Sequence, residues 1–103
     1  MRFGLKTEVI QGISKIFRNH PEVEKVLLYG SRAKGNFKPA SDIDLCLQGS
    51  SLDLTVLNKI SWELDDLLLP YTFDLSIYHQ LNSSDLLDHI QRVGVLFYSK
   101  EIL

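Results

Sequence analysis

The tightest constraint on this chain is a strand-like alternation that carries charge. Asp42-Ile43-Asp44-Leu45-Cys46-Leu47 puts Asp42, Asp44 and Cys46 on one face and Ile43, Leu45 and Leu47 on the other. Aspartate is disfavoured inside strands, and two carboxylates at i and i+2 repel each other. A fold tolerates that pair when a cation sits between them. Such a segment reads as one apolar face against a core and one acidic face, which either holds a cation or consists of a turn cap at Asp42 and a surface residue at Asp44. A later run, Phe73-Asp74-Leu75-Ser76-Ile77-Tyr78, repeats the pattern, with Asp74 on the face opposite Phe73, Leu75 and Ile77.

Between these runs, Ser50 to Leu69 is the longest helix candidate. Ser50 and Asp53 resemble a capping box, Leu57, Ile60, Leu64, Leu67 and Leu68 form the apolar stripe, and Pro70 follows the end. A helix between two strands is the pattern of a β-α-β crossover, so the Asp74 strand is expected parallel and adjacent to the one bearing Asp42 and Asp44. Leu5 to Asn19 reads as an amphipathic helix ended by Pro21. Val23 to Tyr29 reads as a strand, apolar on both faces from Val26 onward and therefore covered on both sides. Ser31 to Gly35 fits one short helical turn, and Asn36 to Ser41 a loop. Ser83 to Val93 reads as a last helix with Leu86, Leu87, Ile90 and Val93 inward and Gly94 as a left-handed stop. Val95 to Tyr98 reads as a short final strand or packed tail. The fold class is α/β (α+β), a mixed sheet flanked by helices, with 1–103 as one domain.

Composition narrows the function. Over 103 residues the net charge is −2, which is not the footprint of a protein that grips nucleic acid through its backbone. Arg32, Lys34 and Lys38 fall close together and form a local basic group. The single cysteine, Cys46, excludes an internal disulfide and points to a reducing compartment. No stretch approaches the roughly 20 apolar residues of a membrane span, and the first ten residues lack a signal-peptide run. A cytoplasmic protein is expected. His20, His79 and His89 lack metal-ligand spacing and read as surface or helix-end residues. Cys46 reads as a small buried thiol. Trp62 and Tyr71 read as core or core-edge residues.

Gly30-Ser31 follows the first strand. A glycine there lets the backbone approach an anion, and a following turn aims N–H groups at it. Gly30 and Gly35 are spaced like the start of a P-loop, but Asn36 and Phe37 stand where that motif needs Lys and Ser/Thr, so the P-loop reading fails. Magnesium takes oxygen ligands in near-octahedral geometry, usually one or two carboxylates plus phosphate oxygens and water. A third carboxylate on a neighbouring strand allows a second metal roughly 4 Å away.

Gly30-Ser31, ten residues, then Asp42-Ile43-Asp44 resembles the signature of the DNA polymerase β-type nucleotidyltransferase superfamily. The extended run LYGSRAKGNFKPASDIDLCL is most similar to the minimal nucleotidyltransferases, small proteins often encoded beside a HEPN-domain partner. The resemblance covers most of the chain and implies a polymerase β-like nucleotidyltransferase core. By it, Gly30 and Ser31 match the triphosphate-binding pair, and Asp42 and Asp44 the metal-binding carboxylates. Asp74 matches the third carboxylate, which helps deprotonate the acceptor, and Arg32 matches a basic position expected to touch phosphate. It further implies two Mg2+ ions, ATP as donor of AMP, and a tyrosine of a HEPN-type toxin as acceptor, with this chain as the antitoxin.

Competing readings keep the fold and change the class. One is an antitoxin that neutralises its partner by binding alone. Another is a subunit that modifies a small, aminoglycoside-like molecule. A DNA polymerase is the weakest reading, because no thumb-like or basic DNA-binding region is present. Exposed apolar surface on so short a chain would favour a homodimer or a heterocomplex.

Overall fold

The computed structural model describes residues 1–100. Among the described residues four helices and four strands alternate. Helix α1 (Thr7–Arg18) precedes strand β1 (Lys25–Tyr29), which runs into the short helix α2 (Gly30–Lys34). Strand β2 (Ile43–Gln48), helix α3 (Leu54–Asp65) and strand β3 (Phe73–Ile77) follow. A 3-10 turn (Tyr78–Gln80), helix α4 (Ser84–Val93) and strand β4 (Val95–Ser99) complete it.

The strands form one mixed sheet in the order β3-β2-β1-β4. β1 is antiparallel to both β2 and β4, while β2 and β3 are parallel, joined by α3 as the crossover pattern requires. Strand alternation divides the side chains between two unequal layers. Val26 and Leu28, Ile43, Leu45 and Leu47, Ile77 and Phe97 join Ile13, Ile16 and Phe17 of α1 and Val56, Ile60 and Leu64 of α3 in the larger core. On the other face Tyr29, Cys46 and Ile90 form a small cluster under α4. No helix among the described residues is long and apolar enough to cross a membrane.

Several local expectations are corrected. Ser50 does not cap α3; Asp53 does, its carboxylate accepting the Val56 N–H at 3.0 Å, and the helix ends at Asp65. The buried stripe is Val56, Ile60 and Leu64, so Trp62, two residues from Ile60, faces outward and is 67% exposed. Leu68 has left the helix, with φ 54°, and is 89% exposed. Of the four α4 residues expected inward, Ile90 alone is fully buried and Leu86, Leu87 and Val93 are half-buried. Gly94 is extended, not left-handed; it is small because a Cβ there would overlap the Ile90 carbonyl oxygen.

Candidate active site

The expected carboxylates meet at one end of the sheet. β1 leaves the sheet at Tyr29, and β2 and β3 enter side by side at Ile43 and Phe73. The register pairs Tyr29 with Asp44, and Asp44 with Asp74. Residues directly across a ladder point to the same face. Tyr29, Asp44 and Asp74 therefore stand in a row across three strands, on the face away from the larger core. Asp42 lies one residue before β2 and is exposed, as is Asp74, while Asp44 is half-buried.

The charges act on one another. Burial pushes the Asp44 carboxyl above its ordinary range, the negative charges of Asp74 and Asp42 push it further, and His89 opposes them. Each negative charge makes ionisation of its neighbour less favourable. The ion pairs among the described residues are His20–Glu63 and Arg92–Asp88, so none of the three carboxylates is neutralised there by a basic side chain. An all-oxygen donor set suits magnesium. No group of three His, Cys, Asp or Glu among the described residues closes into a ready-made metal cage. A cation here would draw its remaining ligands from phosphate and water.

Gly30 sits against this row. Its φ of 74° is left-handed, and a Cβ there would overlap Asp44 Oδ2. Glycine is thus required twice, for the turn and for room beside the carboxylate. α2 begins here with no side-chain cap from Tyr29. The Gly30 N–H donates to His89 Nε2 at 3.2 Å. The next two amides, of Ser31 and Arg32, lie in the first helical turn and have no carbonyl four residues back within the helix. Ser31 is half-buried beside them.

His89 is the residue that sequence reasoning missed. It reaches the site from α4, with its ring edge-on to Tyr29 at 6.0 Å between centroids. The bond ties the first amide of α2 to α4. Fifty-nine residues separate it from Gly30, so no linear spacing signals it. Beneath the carboxylates, burial raises the Tyr29 hydroxyl, and the Asp74 and Asp44 charges add to that. Burial also pushes the Cys46 thiol up, which keeps it protonated and unsuited to nucleophilic work.

Arg32 is placed otherwise than expected. It is 2% exposed, and its guanidinium donates to the carbonyls of Phe3, Pro39 and Ser41. Its donors are held inside the fold, so it offers no free fork to a phosphate. The exposed cations near the turn are Lys34 and Lys38. A cavity of about 630 Å³ lies at the opposite end of the sheet, lined in part by Ser14, Arg18, Phe97 and Tyr98, and touches none of the residues above.

A mixed sheet with carboxylates clustered beside a glycine turn is a framework for transfer chemistry on a polyphosphate. The chain matches the family described as polymerase beta, nucleotidyltransferase, over residues 11–102, and it belongs to that family. No curated protein sequence matches it. Among solved structures, a toxin–antitoxin complex with AMP-PNP aligns with a TM-score of 0.71 at 22% identity, over 89% of this chain and 74% of the other. The toxin–antitoxin complex MntA–HepT aligns with a TM-score of 0.67 at 20% identity, over 92% and 74%. A tri-AMPylated Shewanella oneidensis HEPN toxin in complex with MNT antitoxin aligns with a TM-score of 0.68 at 20% identity, over 93% and 74%. At such identities the likeness is one of fold.

Proposed function

We propose that this protein transfers AMP from ATP to a hydroxyl group of a protein partner, a tyrosine of a HEPN-type toxin, and so acts as that toxin's antitoxin. The observation that carries the reading is the Asp44–Asp74 pair across β2 and β3, with Asp42 close by and Gly30 against Asp44. The likeness of fold to antitoxin chains whose complexes contain AMP-PNP or a tri-AMPylated toxin supports the choice of donor and acceptor. The same reading makes 1–103 one minimal nucleotidyltransferase domain. It acts in a reducing cytoplasm, consistent with a buried free thiol at Cys46.

In this mechanism the acceptor oxygen forms a bond to the α-phosphorus as the bond to the bridging oxygen breaks and pyrophosphate leaves. Asp42 and Asp44, with help from Asp74, would hold two magnesium ions, which would supply neutralisation of the charge on the phosphate oxygens. Gly30 lets the backbone lie close to the triphosphate. The Ser31 and Arg32 amides and the Ser31 hydroxyl donate to its oxygens. Asp74, on the outer strand and exposed, takes the acceptor proton. His89 holds the Gly30 amide, which keeps the turn at its left-handed angle.

The test is transfer of label from ATP tagged in its α-phosphate to the purified HEPN-type partner. Wild-type protein should label the partner on tyrosine, and Asp42→Ala/Asp44→Ala should not. Equal labelling by the double variant would overturn the reading. No labelling by wild type, with the double variant still neutralising the partner, would instead leave an antitoxin that works by binding.

A further inference from the structure

The first residues of the chain fold into a strained turn that reaches the acidic site through one buried cation. Arg2 and Leu5 exchange both backbone hydrogen bonds, at 3.1 and 2.8 Å, and Leu5 is fully buried. Phe3 and Gly4 between them both have positive φ, 57° and 72°. Two left-handed central residues make the tight hairpin turn that normally carries asparagine or glycine. A bulky phenylalanine in that region is a conformational outlier that persists only when its surroundings hold it there. What holds it is visible. The Phe3 carbonyl accepts from Arg32 Nη1 at 2.8 Å. A Cβ on Gly4 would overlap the Phe37 ring and come within 2.9 Å of Arg32 Nη1.

The same guanidinium grips the loop before β2. Arg32 Nε and Nη2 donate to the Ser41 carbonyl at 3.1 and 2.9 Å, and Nη2 also reaches the Pro39 carbonyl at 3.1 Å. The Phe37 and Tyr71 rings lie 5.2 and 4.9 Å from its central carbon. A buried cation without a carboxylate is costly unless every donor is satisfied. Here carbonyls take four hydrogen bonds from it and two aromatic rings flank it, and the cation ties three segments together: the Arg2–Leu5 turn, the loop that ends at Ser41, and Tyr71 ahead of β3. Asp42 is the next residue after Ser41.

We propose that the Arg2–Leu5 turn and Arg32 form a support that fixes the position of Asp42, with Arg32 a positioning residue and not a phosphate ligand. Its catalytic consequence rests on the transfer reaction proposed above; its structural half does not. Displacement of a reacting group by about 1 Å costs on the order of 100-fold in rate, so a support of this kind acts on turnover and leaves nucleotide affinity nearly alone.

The experiment pairs Gly4→Ala, which leaves the guanidinium intact, with Arg32→Lys, which keeps a charge and loses the fork. Each folded variant is measured for kcat, for KM toward ATP, and for backbone amide chemical shifts from Asn36 to Asp44. Each substitution should lower kcat about 10- to 100-fold while KM for ATP stays within about threefold. The double variant should be no worse than the poorer single one, because both act through one connection. The Ser41 and Asp42 amides should shift in Gly4→Ala. A tenfold rise in KM at constant kcat in Arg32→Lys would make Arg32 a phosphate ligand and overturn the proposal. Unmoved Ser41 and Asp42 amides in Gly4→Ala would overturn it as well. Should Arg32→Lys fail to fold, Gly4→Ala alone decides. A wild-type protein that transfers no AMP would sink the reaction, and the amide shifts would still decide the support.

Discussion

The two faces of the sheet share the same strands and serve opposite ends. On one, Leu28, Leu45, Leu47 and Ile77 are buried against α1 and α3 in a continuous aliphatic core. On the other, one residue along in each strand, Tyr29, Asp44 and Asp74 stand in a row, with Cys46 and Ser76 further along the strands. The first face gains free energy by removing apolar surface from water. The second holds mutually repelling carboxylates and a left-handed glycine turn. Stability and chemistry are thus kept a single residue apart, and substitutions one position apart in β2 should have unlike effects.

The largest expected effect lies on the polar face. Asp42→Ala/Asp44→Ala should reduce AMP transfer by about 1,000-fold or more, while circular dichroism shows a retained fold. A smaller loss would mean that the carboxylates are not where charge is neutralised. Leu45→Ala, next to Asp44 and pointing the other way, should destabilise the protein by about 2–5 kcal/mol in denaturant unfolding. Its folded fraction should keep near-normal turnover; a selective loss of kcat would erase the distinction between the faces. Gly30→Ala should cost about 1–2 kcal/mol for the left-handed angle. It should also lower activity beyond that, because its Cβ displaces Asp44.

The smallest effect concerns pH. The Asp44 carboxyl is raised by burial first and then by Asp74 and Asp42. A raised carboxyl binds its proton more tightly in the folded chain. Its stabilising contribution is complete below the unfolded-state value and is lost as pH rises through the folded one. At neutral pH the ionised group opposes folding, weakly because it is partly solvated. Asp44→Asn should therefore raise Tm by about 2 °C at neutral pH, with the difference disappearing below about pH 4. A lower Tm for Asp44→Asn at neutral pH would show that Asp44 has a structural partner.

Much of this was legible in the sequence because it followed strand period. The alternation through Asp42–Leu47 and Phe73–Tyr78 fixed which side chains share a face, and the helix between them implied a parallel pair. Gly30-Ser31 and the two aspartates fell into a recognisable family pattern that the family match over residues 11–102 bears out. What escaped was set by tertiary contacts. His89 meets Gly30 only because α4 crosses the end of β1. The family resemblance implies that Arg32 touches phosphate, yet the carbonyls that hold it come from Phe3, Pro39 and Ser41. Trp62 looked like core by type and faces solvent by helical phase. Gly94 suggested a left-handed stop, whereas its smallness answers a close carbonyl.

The most direct measurement is paramagnetic broadening of backbone amide signals by Mn2+ in the presence of a non-hydrolysable ATP analogue. Broadening centred on Gly30–Arg32, Asp42–Asp44, Asp74 and His89, and lost in Asp44→Asn, is the predicted result. Broadening centred on the cavity beside Arg18 and Tyr98, or broadening that survives Asp44→Asn unchanged, would contradict the assignment of this end of the sheet to nucleotide and metal.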